Sequence, residues 1–158
     1  MAKILIVYYS RSGNTAKMAQ AVEEGVKAEG AAVETKSVDK VDVKELLDVD
    51  GLIVGSPTYY GLMAAELKKM FDDSVKFHGR LEGKVGGAFS SAANIGGGNE
   101  TTIRSILDAM LIHGMVIQGT PRGDHYGPVA ISAPDDRARK QCVELGKRTA
   151  KLVKKLFG

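Results

Sequence analysis

The chain has 158 residues, 44% of them hydrophobic and 26% charged, with a formal net charge of +3. That length suits a single domain, residues 1–158, with a core of its own. Lys and Arg are interleaved with Asp and Glu, which argues against a nucleic-acid-binding stripe. One cysteine, Cys142, excludes an internal disulfide framework and a cysteine-based metal centre. No run approaches the ~20 apolar residues needed to cross a bilayer, and the first residues carry no cleavage pattern. The expected setting is the cytoplasm, without membrane insertion.

In chain order, AKILIVYY (2–9) reads as a strand buried on both faces. Residues 14–30 read as a helix, with Ala16, Ala19, Val22 and Val26 at helical spacing and Gly30 as its stop. AAVETKSV (31–38) alternates like an edge strand, and 43–50 suggests a short helix. GLIVGS (51–56) is a second inner strand. Residues 62–74 form an amphipathic helix with Leu62, Ala65, Leu67 and Met70 toward the core. A strand at 83–91, a helix at 99–114, a strand at 115–119 and a long helix at 134–157 complete the series. The last helix opens on Pro and acids and closes on lysines, the asymmetry helices favour.

Such alternation predicts an α/β three-layer sandwich, in which helices cover both faces of a five-stranded parallel sheet in order 2-1-3-4-5. Ligands of such sheets sit outside the carboxyl ends of the strands where the order reverses. Three loops should meet there. SRSGNT after the first strand, with Ser10, Arg11, Ser12, Gly13, Asn14 and Thr15, runs into a helix N-terminus. Unpaired amides, hydroxyls and a permissive glycine suit a phosphate dianion, although an ordinary cap by Ser12 or Asn14 would use the same residues. The Walker lysine, the dinucleotide glycine pattern, a phosphatase cysteine and the acidic strand ends of a receiver domain are all missing here.

The second loop, SPTYYG, offers Pro57, Thr58, Tyr59, Tyr60 and Gly61, either as a cover for the sheet edge or as an aromatic wall. The third, SSAANIGGGNE, offers Ser91, Ala92, Ala93, Asn94, Ile95, Gly96 and Gly97, either as a flexible surface loop or as a rim of backbone donors. A ligand with one phosphate, a polar chain and a flat heterocycle fits all three, and FMN has that shape.

SRSGNT, GSPTYYGLMAAELKKMFDD, FSSAANIGGGNETTI and HGMVI together resemble the flavodoxin superfamily, and more narrowly the WrbA-type NAD(P)H:quinone oxidoreductases, over nearly the whole chain. The resemblance implies a flavodoxin-like fold with FMN held noncovalently. Ser10 to Thr15 would take the phosphate, Pro57 to Gly61 one side of the ring and Ser91 to Gly97 the other. Tyr126 would close the ring site, from the same or a neighbouring subunit, in dimers or tetramers. It implies NAD(P)H as reductant and a quinone as acceptor; the alternative within the superfamily is an electron carrier that docks on electron-transfer proteins. No catalytic side chain is assigned and no metal is expected. Ile112 stands where those oxidoreductases often carry the first His of a His-His-Gly, tryptophan is absent, and the chain is shorter around 35–45 and 119–128.

Overall fold

The computed structural model describes residues 1–158. Six parallel strands build the sheet: β1 (Lys3–Tyr8), β2 (Ala32–Ser37), β3 (Gly51–Pro57), β4 (Val85–Ala92), β5 (Val116–Ile117) and β6 (Val129–Ile131). The order is β2-β1-β3-β4-β5, and β6 pairs with β4 beyond β5. Helices α1 (Asn14–Ala28) and α4 (Asp136–Phe157) cover one face, and α2 (Ala65–Asp73) and α3 (Asn99–Ile112) the other. The flavodoxin-like order 2-1-3-4-5 is therefore as the alternation of elements predicts.

β1 shows why both faces need helices. Ile4 and Ile6 point into the cluster under α1 and α4, while Leu5 and Val7 point into the cluster under α2 and α3. All four are sealed from solvent, as expected for an inner parallel strand. The fifth strand departs from expectation. It is split, with β5 pairing beside Val85 and Gly86, an excursion over 118–128, and β6 pairing beside Ser90 to Ala92. Two further differences are local. The 43–50 segment holds a 3-10 turn at Val43–Leu47, preceded by another at Val38–Lys40, and α2 starts only at Ala65, leaving Leu62 and Ala65 exposed while Leu67 and Met70 are buried.

α1 and α4 touch backbone to backbone. A Cβ at Gly146 would lie 2.1 Å from the Val22 carbonyl oxygen, and one at Gly25 would lie 2.0 Å from that of Val143. Helix propensity alone would favour alanine at either position; the close approach reverses the sign. Gly146→Ala is expected to cost about 3 kcal/mol through overpacking, read as a lower urea midpoint at unchanged slope.

His113, just past α3, is buried. Ser74 donates its hydroxyl to the Phe71 carbonyl (2.6 Å), so it accepts from His113 Nε2 (2.7 Å). His113 Nδ1 is then a lone pair, buried without a partner. Burial foremost, and then His78 across a 6.1 Å ring separation, pushes the imidazole pKa down. The unfolded chain therefore takes up a proton that the folded chain refuses as pH falls below about 6.5. Stability is expected to drop as pH falls through that value, and His113→Gln should flatten the dependence in denaturation curves.

Candidate functional site

β1 ends at Tyr8, and the chain turns into α1 within five residues. The turn rests on Ser10, whose Oγ accepts from the amides of Gly13 (3.1 Å) and Ala16 (3.3 Å). Ser10 thus does the capping expected of Ser12 or Asn14, and Gly13 occupies the cap position at φ +97° with no side chain to contribute. The amides of Arg11, Ser12, Asn14 and Thr15 find no acceptor in the protein. Four orphan donors stand at the positive end of a 15-residue helix.

The second loop turns back on itself. Tyr59 and Leu62 exchange backbone hydrogen bonds (3.0 and 3.1 Å), and the two residues between them, Tyr60 and Gly61, sit at φ +50° and +75°. Two positive φ values define a type I′ turn, which places a non-glycine residue in an uncommon conformation at its tip. Tyr60 projects fully into solvent. Tyr59, by contrast, stands edge-on to Tyr9 with ring centroids 6.2 Å apart.

The three loops are tied together by small hydroxyls. Thr15 Oγ1 lies 3.0 Å from Ser91 Oγ in a buried pair. The Thr58 amide donates to the Ser91 carbonyl at 2.7 Å. From α3, Thr101 donates to the Gly61 carbonyl (2.6 Å) and Thr102 to Thr58 Oγ1 (3.1 Å). Losing one partner of a buried pair such as Thr15–Ser91 leaves the other unsatisfied, at a cost of about 1–3 kcal/mol.

Between these ties opens a cleft of about 300 Å³. Arg11, Ser12, Asn14 and Thr15 form one wall, Pro57, Thr58 and Tyr59 another, and Ser91, Ala92, Ala93 and Ser132 a third. Ser10 and Gly13 support the first wall from behind. Tyr60, Gly61, Asn94, Ile95, Gly96 and Gly97 do not line the cleft; their loops flank it, with Ile95 almost wholly exposed and the Gly97 amide turned back to the Asn94 carbonyl. Tyr126 is half exposed on the 118–128 excursion and contributes nothing to these walls. A roomier hollow of about 430 Å³ lies on the far side of Tyr9, between Val38, Val41, Val43 and Met70, with the carboxylates of Asp39, Glu66 and Asp73. Those carboxylates repel an anion, so the smaller cleft, whose wall has none, is the candidate anion site.

Ser132, Thr101 and Thr102 are the residues that sequence reasoning misses. Ser132 (φ +57°) follows β6, and only the short apolar run Val129–Ile131 before Ser-Ala-Pro signals it. No carboxylate, imidazole or thiol lines the cleft. Cys142 lies on the buried face of α4, where burial pushes its thiol up to about 12, and His125 Nδ1 is bonded to the Thr120 carbonyl at 2.8 Å. No group of three or more His, Cys, Asp or Glu is placed to hold a metal ion, and no helix is long and apolar enough to cross a membrane.

The family model "Flavodoxin" matches residues 6–102, which span all three loops. A protein named flavodoxin from Aquifex aeolicus is 40% identical, over 97% of this chain and 88% of its own. A protein named NAD(P)H dehydrogenase (quinone) from Archaeoglobus fulgidus is 33% identical, over 99% of this chain and 100% of its own. Among solved structures, a flavodoxin, WrbA-like protein from Agrobacterium tumefaciens superposes with a TM-score of 0.85 at 26% identity, over 99% of both chains. On this fold, this cleft and these relatives, the chain belongs to the flavodoxin family.

Proposed function

We propose that the chain holds FMN noncovalently in the 300 Å³ cleft and passes electrons from NAD(P)H to a quinone or similar small acceptor. The observation that carries the FMN reading is the set of orphan amides at Arg11, Ser12, Asn14 and Thr15, which together match the oxygens of a phosphate. In this reading the Arg11–Thr15 loop takes the phosphate, and the ring lies between the Pro57–Gly61 and Ser91–Gly97 loops. When bound, the flavin supplies hydride acceptance from a nicotinamide and electron delivery to an acceptor.

The side chains around it have narrower tasks. Ser10 keeps the amide cup in shape through its two accepted bonds. Thr101 and Thr102 fix the loop that carries Tyr59. Tyr59, braced edge-on by Tyr9, offers a flat apolar surface. With no acid or base in the cleft walls other than Arg11 and Tyr59, protons reach the site from solvent. Residues 1–158 act as one unit, in the cytoplasm. Copies associate into dimers or tetramers, for which exposed Val75, Leu111 and Ile112 offer apolar surface.

A second reading, an FMN electron carrier between proteins, has an observation in its favour. Alignment with the Aquifex flavodoxin takes 162 positions, close to the length of this chain, whereas alignments with the proteins named NAD(P)H dehydrogenase (quinone) take 190 to 199. Those relatives carry segments with no counterpart here.

Rapid anaerobic mixing separates the two. The oxidoreductase reading expects NADPH or NADH to bleach the flavin absorbance within seconds, and a quinone to restore it. Bleaching that needs hours would instead support the carrier. The phosphate cup has its own test. Gly13→Asp places a carboxylate beside the phosphate while keeping a residue type that tolerates positive φ. Like-charge juxtaposition is expected to weaken FMN binding about a hundredfold or more, measured by fluorescence titration of the apoprotein. Unchanged affinity would remove the phosphate from this loop.

A further inference from the structure

Away from the cleft, the 118–128 excursion folds over the middle of α4 and borders a hollow of about 520 Å³ in whose wall Pro121 is the one apolar side chain. Arg122 faces it from the loop and Arg148 from α4, alongside Gln118, Thr120, Gln141 and Glu144. Neighbouring cations are already engaged. Arg137 bonds Asp124 and the Val129 carbonyl, Arg139 pairs with Glu24, and Lys147 pairs with Glu144 at 3.3 Å.

Arg148 differs from all of these. It is only partly exposed, and it makes no ion pair or hydrogen bond within the protein. Its Nε is buried without an acceptor. A guanidinium cannot shed its charge, so burying part of it uncompensated is costly unless a partner arrives. Such an orphan calls for an ion or ligand. The wall sets two guanidiniums against one carboxylate, that of Glu144, which Lys147 pairs from outside the hollow at 3.3 Å, so the balance facing the hollow is positive and favours an anion. Gln141 Oε1 accepts from the Asp124 amide (3.3 Å), leaving its Nε2 to donate into the hollow. Apart from Pro121, the side chains of the wall are polar or charged, which suits a hydrophilic ligand body.

We propose that this hollow binds phosphate, as the free dianion or as a monoester on a hydrophilic small molecule, with Arg148 and Arg122 as its principal partners. Forked guanidinium donors match phosphate oxygens two at a time. Nothing in this site depends on what occupies the cleft at the carboxyl ends of the strands.

The test uses FMN-loaded protein, so that the cleft does not compete, titrated calorimetrically with inorganic phosphate against chloride at equal ionic strength. Wild type is expected to bind at one saturable site, and Arg148→Gln to bind about thirtyfold more weakly. Phosphate should raise the unfolding temperature of wild type and leave that of Arg148→Gln unmoved. Without phosphate, Arg148→Gln should unfold no lower than wild type, because an unpaired charge has gone. Arg122→Gln sits on an exposed loop, where folding does not depend on it, and should weaken phosphate binding about tenfold. NADPH and NADH identify the source. Loss of NADPH affinity alone in these variants assigns the phosphate to the dinucleotide, and an equal response of both leaves free phosphate or another monoester. Absence of phosphate binding to wild type, or binding undiminished in both variants, overturns the proposal.

Discussion

The structure turns on a shortage of acceptors where β1 hands over to α1. A helix always begins with amides that its own carbonyls cannot reach. In most helices a side chain at the cap absorbs one of them. Here Ser10 reaches forward to the Gly13 and Ala16 amides, and the amides between and beside them stay open. The chain keeps a concentrated positive potential at the top of its sheet, most of it from backbone amides, with Arg11 the one cationic side chain in the wall. The neighbouring walls are built from small polar groups: Thr15 pairs with Ser91 and Thr58 with Thr102 through hydroxyls, so the cleft is polar, narrow and free of carboxylates.

The sheet supplies the rigidity that such a cleft needs. β3 and β4 run side by side to Pro57 and Ser91, which fixes the two flanking loops at one level. Phe89, fully buried, lies across Gly55 so closely that any β-carbon there would meet its ring. Gly25 and Gly146 do the equivalent for α1 and α4. Glycine in this chain therefore serves backbone approach in the core as much as mobility in the loops.

Much of this was legible in the residues. Short apolar runs located β1 and β3, alternation located β2, the 3.6-residue period located the four helices, and the switch-point rule brought the three loops together. The SRSGNT loop was readable because a strand ran into a helix through small polar residues. What failed to show has physical reasons. β5 lies within the strand read at 115–119, but β6 is three residues long, too short for any periodicity to register, so Ser132 went unseen. Leu62 looked like a core residue at helical spacing, but the turn at Tyr60 and Gly61 puts it on extended backbone ahead of α2. Ser10 as the capping side chain was hidden because its reach of three and six residues follows from the turn, not from sequence distance. Arg122 was visible only as one loose arginine until α4 brought Arg148 beside it.

The broken fifth strand bears on how copies of this chain can meet. An unbroken outer strand would expose a row of free amides and carbonyls, a ready template for another polypeptide. Here the outer row stops after Ile117, wanders over 118–128 and resumes for three residues. At the opposite border, β2 carries Glu34 and Lys36, whose ion pairing also keeps that rim charged. Neither margin of the sheet welcomes an added strand. Fibrillar growth by sheet extension is thereby disfavoured, and self-association must proceed through helical faces or loops.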